Sequence, residues 1–186
     1  MKLIRLIAII MIVSACGQNQ TASKAEIDEF DFLNQVLRDT SIVKRKIEEP
    51  FVVSDVANLP PPMREGREID FVSQKLSEPD TIFLREQFRK MKNFTTDSLE
   101  AYGFTICKVS ELRIKMNTDS LWNYIIDKYN GGYYSINRPI FNKAFNKAYI
   151  NFGYKCGDYC GYSSSYIIKK ENGKWVIEEL LGFWES

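Results

Sequence analysis

From Ala148 onward the chain is written with period two, and that fixes the kind of fold open to it. Ala148, Ile150, Phe152 and Tyr154 alternate with Tyr149, Asn151, Gly153 and Lys155, as a two-faced strand requires. Residues 162–170 stay extended, and Asn172-Gly173 follows, a dipeptide that favours a tight hairpin turn. Trp175-Val176-Ile177 opens a last strand that continues to Trp184, apolar on both faces and so expected to be central or covered on both sides. With residues 133–141 in front, these segments predict an antiparallel meander of about four strands.

Upstream the period is helical. Ile27, Phe30, Leu33, Val36 and Leu37 predict a first helix over residues 27–38. Pro50 ends what precedes it, and Phe51-Val52-Val53 reads as a strand. Leu59-Pro60-Pro61-Pro62-Met63 is a stiff surface connector, a composition that can also dock a partner. Asp80 is placed to cap a second helix over residues 81–92, with Ile82, Leu84 or Phe83, Phe88 and Met91 as its apolar stripe. Residues 96–102 add a further turn or two. Residues 104–109 and 112–116 read as extended. Thr118 or Asp119 then caps a third helix with Leu121, Trp122, Ile125, Ile126 and Tyr129 on one face, stopped by Asn130-Gly131-Gly132. The expectation is a single α+β domain over residues 27–186, N-terminal helices packed on a C-terminal meander.

The first residues follow another logic. Lys2 and Arg5 give a positive start, residues 6–13 are unbroken apolar, and Ser14 and Ala15 are small. Only ten uncharged residues separate Arg5 from Cys16, whereas a membrane-spanning helix needs about 20. Residues 1–15 therefore read as a cleaved export signal. Val13-Ser14-Ala15-Cys16 also resembles a bacterial lipobox. The resemblance implies that Cys16 becomes the mature N-terminus, carrying a diacylglyceryl thioether and an amide-linked acyl chain of the palmitate kind. Residues 16–26 would then be the lipidated cysteine and a flexible polar tether. The chain would sit at the bacterial cell envelope, on the outer membrane or a periplasmic face, its partner the membrane itself through the lipid. A plain secretory signal with Cys16 merely nearby is the alternative.

Histidine is absent from the sequence, which removes the commonest general base and metal ligand. Ser-His-Asp and Cys-His catalysis and His-ligated zinc are excluded, and no cofactor or metal is expected. Loss of residues 1–15 takes Lys2 and Arg5 with it, leaving 23 basic residues against 24 acidic ones. A nucleic-acid partner would need a concentrated basic surface, so none is expected. Beyond Cys16 the cysteines are Cys107, Cys156 and Cys160. An oxidising compartment makes Cys156 and Cys160 the candidate disulfide, with Gly157 and Gly161 able to supply positive φ to a crosslinked turn. Cys107 is then either a small buried apolar residue or part of another connectivity. Three residues separate Cys156 from Cys160, rather than the two of a redox motif.

Helices leading into a curved antiparallel sheet resemble the NTF2-like cone, and Gly173-Lys174-Trp175 is similar to the closing strand of many such domains. Together with Cys156-Gly157-Asp158-Tyr159-Cys160-Gly161 and Trp184, it resembles a family of uncharacterised bacterial lipoproteins. That fold hosts enzymes, binders and docking subunits, so it does not select a function. No catalytic residue can be mapped by motif. Asp158 and Tyr159 form a candidate binding turn, and the tyrosines at 149, 154, 159, 162 and 166 are either a stacking surface or ordinary strand residues. The reading is a membrane-anchored module that binds a small ligand or an envelope protein, leaning away from catalysis. The alternatives are a His-free enzyme with a Tyr/carboxylate site in the cone, and an inhibitor-type protein docking through the turn at residues 156–161.

Overall fold

The computed structural model describes residues 28–43, 52–56 and 65–185. The signal, Cys16, the tether, Ile27, Phe51 and residues 59–63 lie outside the described residues.

Asp28 opens helix α1 (Glu29–Arg38), its carboxylate accepting from the backbone N–H of Phe30 at 2.9 Å. Helix α3 (Thr81–Met91) begins at Asp80 as expected, with the N–H groups of Ile82 and Phe83 each donating to Asp80 Oδ1 at 3.0 Å. Of its predicted stripe, Leu84 and Met91 are buried, while Ile82 faces solvent. Helix α2 (Glu65–Leu76) was not anticipated, although Ile69, Val72 and Leu76 stand three and four apart and are all buried. Asp97–Tyr102 forms a 3₁₀ turn, the further turn expected there.

The segment over residues 112–116 is helical rather than extended, and forms α4 (Val109–Lys115). Val109, Leu112 and Met116 fall at helical spacing and pack together on one cluster, which leaves Ile114 exposed. Helix α5 (Thr118–Tyr129) is capped one residue earlier than predicted, by Asn117 Oδ1 accepting from Ser120 N at 2.9 Å. Asn130 ends it with φ 53°, the left-handed conformation its amide side chain tolerates. Ile126, placed on its buried face by sequence, is exposed.

The strands are β1 (Val52–Ser54), β2 (Thr105–Cys107), β3 (Tyr133–Ile136), β4 (Ile140–Phe141), β5 (Lys147–Gly157), β6 (Cys160–Glu171) and β7 (Lys174–Glu185). They form one seven-stranded sheet in the order β2-β1-β3-β5-β6-β7, with β4 against β5. The fold is thus α+β, but the sheet is larger than a four-strand meander and is mixed. Strand β1 runs parallel to both β2 and β3, whereas β3, β5, β6 and β7 pair antiparallel. Parallel neighbours need a long crossover, so helices stand between β1 and β2 and between β2 and β3 rather than only at the N-terminus. Strands β1 and β2 fall in segments the sequence marks as extended but are only three residues long, and the expected strand over residues 133–141 divides into β3 and β4.

Alternation along the strands separates the cores. Ala148, Ile150 and Phe152 join Phe32, Leu33, Val36 and Leu37 of α1 on one face. Tyr149 joins Ile69, Val72, Leu76 and Leu84 of α2 and α3 on the other, and Tyr133 and Val52 meet Leu121 and Ile125 of α5 on that same side. The β6–β7 hairpin closes on Asn172 and Gly173 at φ 50° and 81°, as the dipeptide predicts.

Strand β7 overturns one expectation. Among the described residues it is an edge strand, covered by α1 only near its start at Trp175, and Leu180, Phe183 and Trp184 in its distal half are exposed.

Candidate ligand-binding site

Strands β5 and β6 are joined by Asp158 and Tyr159, a turn whose flanking Cys156 and Cys160 lie at disulfide distance, with Cα atoms 5.1 Å apart. Positive φ is not what the glycines supply here, for neither Gly157 nor Gly161 adopts it. Gly161 instead permits a close approach: a Cβ there would lie 2.5 Å from the Tyr154 carbonyl oxygen.

The two residues of the turn part company. Tyr159 points outward and is 91% exposed. Asp158 turns back, its Oδ1 accepting a hydrogen bond from Trp122 Nε1 of α5 at 2.7 Å. The Trp122 ring stacks on Tyr133 of β3, with centroids 5.7 Å apart and planes 6° from parallel. The indole is therefore fixed at its N–H and over one face. Burial pushes the Tyr133 hydroxyl above the usual phenol range, and the neighbouring Arg113 only partly offsets this.

These contacts frame a cavity of about 520 Å³ between α4, α5 and the end of the β5–β6 hairpin. Arg113, Lys155 and Asp158 supply its charged groups, Trp122 and Trp184 its aromatic walls, and Met116 and Leu121 further apolar surface. Two cations against one carboxylate leave a site of formal charge near +1. On the opposite face of the same sheet end lies an apolar groove of about 420 Å³ lined by Phe152, Tyr162, Tyr166, Leu180 and Phe183. The tyrosines proposed as a stacking surface do not form one. Tyr154, Tyr162 and Tyr166 share the α1 face, Tyr162 and Tyr166 buried and Tyr154 partly so, whereas Tyr149 is buried on the opposite face and Tyr159 stands alone in solvent.

Nucleophiles and displaced acids lie elsewhere. Cys107 is buried without a disulfide partner among the described residues, and burial raises its thiol pKa, which keeps it protonated and inert. Burial also raises the carboxyl of Glu68 on α2, while hydrogen bonds lower Asp39, from the Ser41 hydroxyl, and Asp80, from the Lys143 ammonium. None of these residues lines the cavity. Among the described residues no cluster of three acids or cysteines could hold a metal, and no helix is long and apolar enough to cross a membrane. The arrangement is equipped to hold a ligand by stacking, charge and hydrogen bonding.

Local spacing points to Asp158, Cys156 and Cys160 but not to Arg113, Lys155 or the pairing with Trp122. Trp122 reads as part of a helix face, and nothing in local spacing links it to a carboxylate 36 residues away. Comparison with known proteins yields no match, whether to a family model, a curated sequence or a solved structure.

Proposed function

We propose that this chain is a lipid-anchored envelope protein whose body is a binding module, with its ligand site in the cavity beside the β5–β6 turn. The observation that carries the reading is the Trp122 indole, held by Asp158 and Tyr133 against a cavity that also presents Arg113, Lys155 and Trp184. A fixed indole offers a stacking platform, and two cations favour a small ligand with an anionic group beside an apolar or planar face. Because Trp122 and Trp184 both line the cavity, occupancy reports directly in tryptophan emission. Titration with acidic sugars, nucleotides and aromatic carboxylates should give a saturable change with at least one class, lost in Arg113→Ala. No saturable response from any class would sink the reading.

The anchor rests on the lipobox likeness of residues 13–16. Mass spectrometry of the protein from membranes should find acyl chains on an N-terminal Cys16, and Cys16→Ala should release it to the soluble fraction. The NTF2-like cone belongs to the same proposal, supported by the long antiparallel strands and the Gly173-Lys174-Trp175 closing strand.

Tyr159 favours the docking alternative, because it projects from a crosslinked turn. Tyr159→Ala would then abolish capture of an envelope partner and leave the cavity titration unchanged. An enzyme would draw on Glu68 and Tyr149, whose ionisations interact, yet neither residue lines the cavity or the groove.

A further inference from the structure

Strand β7 carries the composition of an interior strand in an edge position. Leu180, Phe183 and Trp184 are 45%, 59% and 59% exposed. Their partners on β6 assign their faces: Leu180 stands beside Tyr166 and Phe183 beside Ser164 on the α1 side, and Trp184 stands beside Ser163 on the other. Apolar surface is therefore open on both sides of one edge. A helix or small molecule covers one face; a strand laid alongside covers both and also takes up the outward N–H and C=O groups. Acidic residues often guard such an edge, but Glu178 and Glu179 are each paired within the chain. Lys147 holds Glu178 at 2.7 Å, and Lys75 of α2 holds Glu179.

We propose that the added strand is β7 of a second copy, antiparallel, on a two-fold axis through Leu180. In this register Leu180 meets its own counterpart. Ile177, beside Ile168 on the α1 face, meets Phe183 of the partner subunit, and Val176, beside Lys169 on the other face, meets Trp184 of the partner subunit. Every exposed large apolar residue of the strand then has an apolar neighbour on its own face. Two bulges make Glu178 and Leu181 extra residues in β7, so the pairing is two short ladders, 175–177 against 183–185, flanking an irregular centre. Glu178 falls opposite Gly182, where a Cβ would meet nothing within 4 Å. Slipping one residue either way sets Phe183 or Trp184 against a residue of the opposite face. Slipping two toward the N-terminus places Glu179 on its own counterpart, a like-charge contact. The twofold register through Leu180 avoids both faults, and it makes the surface self-complementary, as an isologous dimer requires.

The test uses the full-length chain in density-matched detergent, by sedimentation equilibrium. A reversible dimer is expected, and oxidised Leu180→Cys should crosslink it across the axis while Lys170→Cys on β6 should not. Leu180 is 45% exposed at the open groove, so Leu180→Lys and Leu180→Glu should keep the native circular dichroism and melting temperature. Each alone puts like charges together and should weaken the dimer by about tenfold or more. Mixing the two variants should restore it, because only a register with residue 180 opposite itself turns the repulsion into an ion pair. A chain that stays monomeric at all concentrations overturns the proposal. So does a dimer indifferent to the charge pair, or one that crosslinks equally through position 170.

Discussion

The two halves of β7 are written alike and live differently. Near its start Trp175 is 6% exposed and meets Phe32 of α1 edge-on at 4.8 Å, with Phe141 at 6.2 Å. Near its end Phe183 and Trp184 keep more than half their surface in water. Alternation and β-favouring side chains specify the strand in both halves, but they do not specify what will lie across it. Where α1 crosses, aromatic area becomes stability; beyond it, the same kind of residue becomes contact surface and cavity wall.

The largest effect should come from the covered half. Trp175→Ala empties a site between Phe32 and Phe141, and removal of a buried aromatic costs about 3–5 kcal/mol. Urea denaturation should show a midpoint shifted down accordingly, and a loss under about 1 kcal/mol would mean that α1 does not anchor the strand. The turn between Cys156 and Cys160 belongs to the open end. Its bridge closes a very short loop, so replacing both by Ser should cost at most about 2 kcal/mol. It should also loosen the Asp158–Trp122 bond and weaken any ligand more than it weakens the fold. At the other end of the hairpin, Gly173 holds φ 81° with open space around it. Gly173→Ala is strained by conformation alone and should cost about 1 kcal/mol.

What the sequence disclosed follows the same division. The long strands, the Asp80 cap and the Asn172-Gly173 turn are set by neighbours in the chain, and they were legible. Strands β1 and β2 read as extended too, but their parallel place in the sheet depends on partners far away: Val53 pairs with Ile106 on one side and Tyr134 on the other. Helix α4 was misread because Leu112, Ile114 and Met116 alternate as a strand does, and only the packing of Leu112 and Met116 against α5 decides for a helix. The cavity was half legible. Asp158 and the cysteine pair stood out by local spacing, whereas Arg113 and Trp122 reach them only through the packing of α4 and α5 on the sheet.

Among the described residues one of the unmatched buried atoms belongs to a carboxylate on α2, and it gives the comparison a pH axis. Glu68 Oε1 is shielded without a hydrogen-bond partner among the described residues, and burial raises its pKa above the ordinary 4.5. The folded state therefore holds its proton more tightly than the unfolded chain. This contribution is fully present below about pH 4.5 and is lost as pH rises through the folded value. Glu68→Gln should flatten that part of the stability–pH profile and make the protein more stable than the parent at pH 7, measured by urea midpoints across the range. An unchanged profile would place the carboxylate in water after all.

The smallest change in stability should accompany the most informative variant. Trp184 lies in the exposed half of β7, beside Ser163 and on the rim of the cavity, so truncation empties no core. Trp184→Ala should shift stability by no more than about 0.5 kcal/mol, the usual range for surface positions. Yet it removes one aromatic wall from the cavity, and in the paired strand it removes the neighbour of Val176. Ligand response and dimer affinity should both fall in a protein that melts at the parent temperature. If stability falls instead as far as in Trp175→Ala, the distal half is packed in solution, and the contrast between the two halves of β7 dissolves. If stability and binding are both untouched, the distal half is surface without a role in either contact, and the site must be sought in Trp122, Arg113 and Asp158 alone.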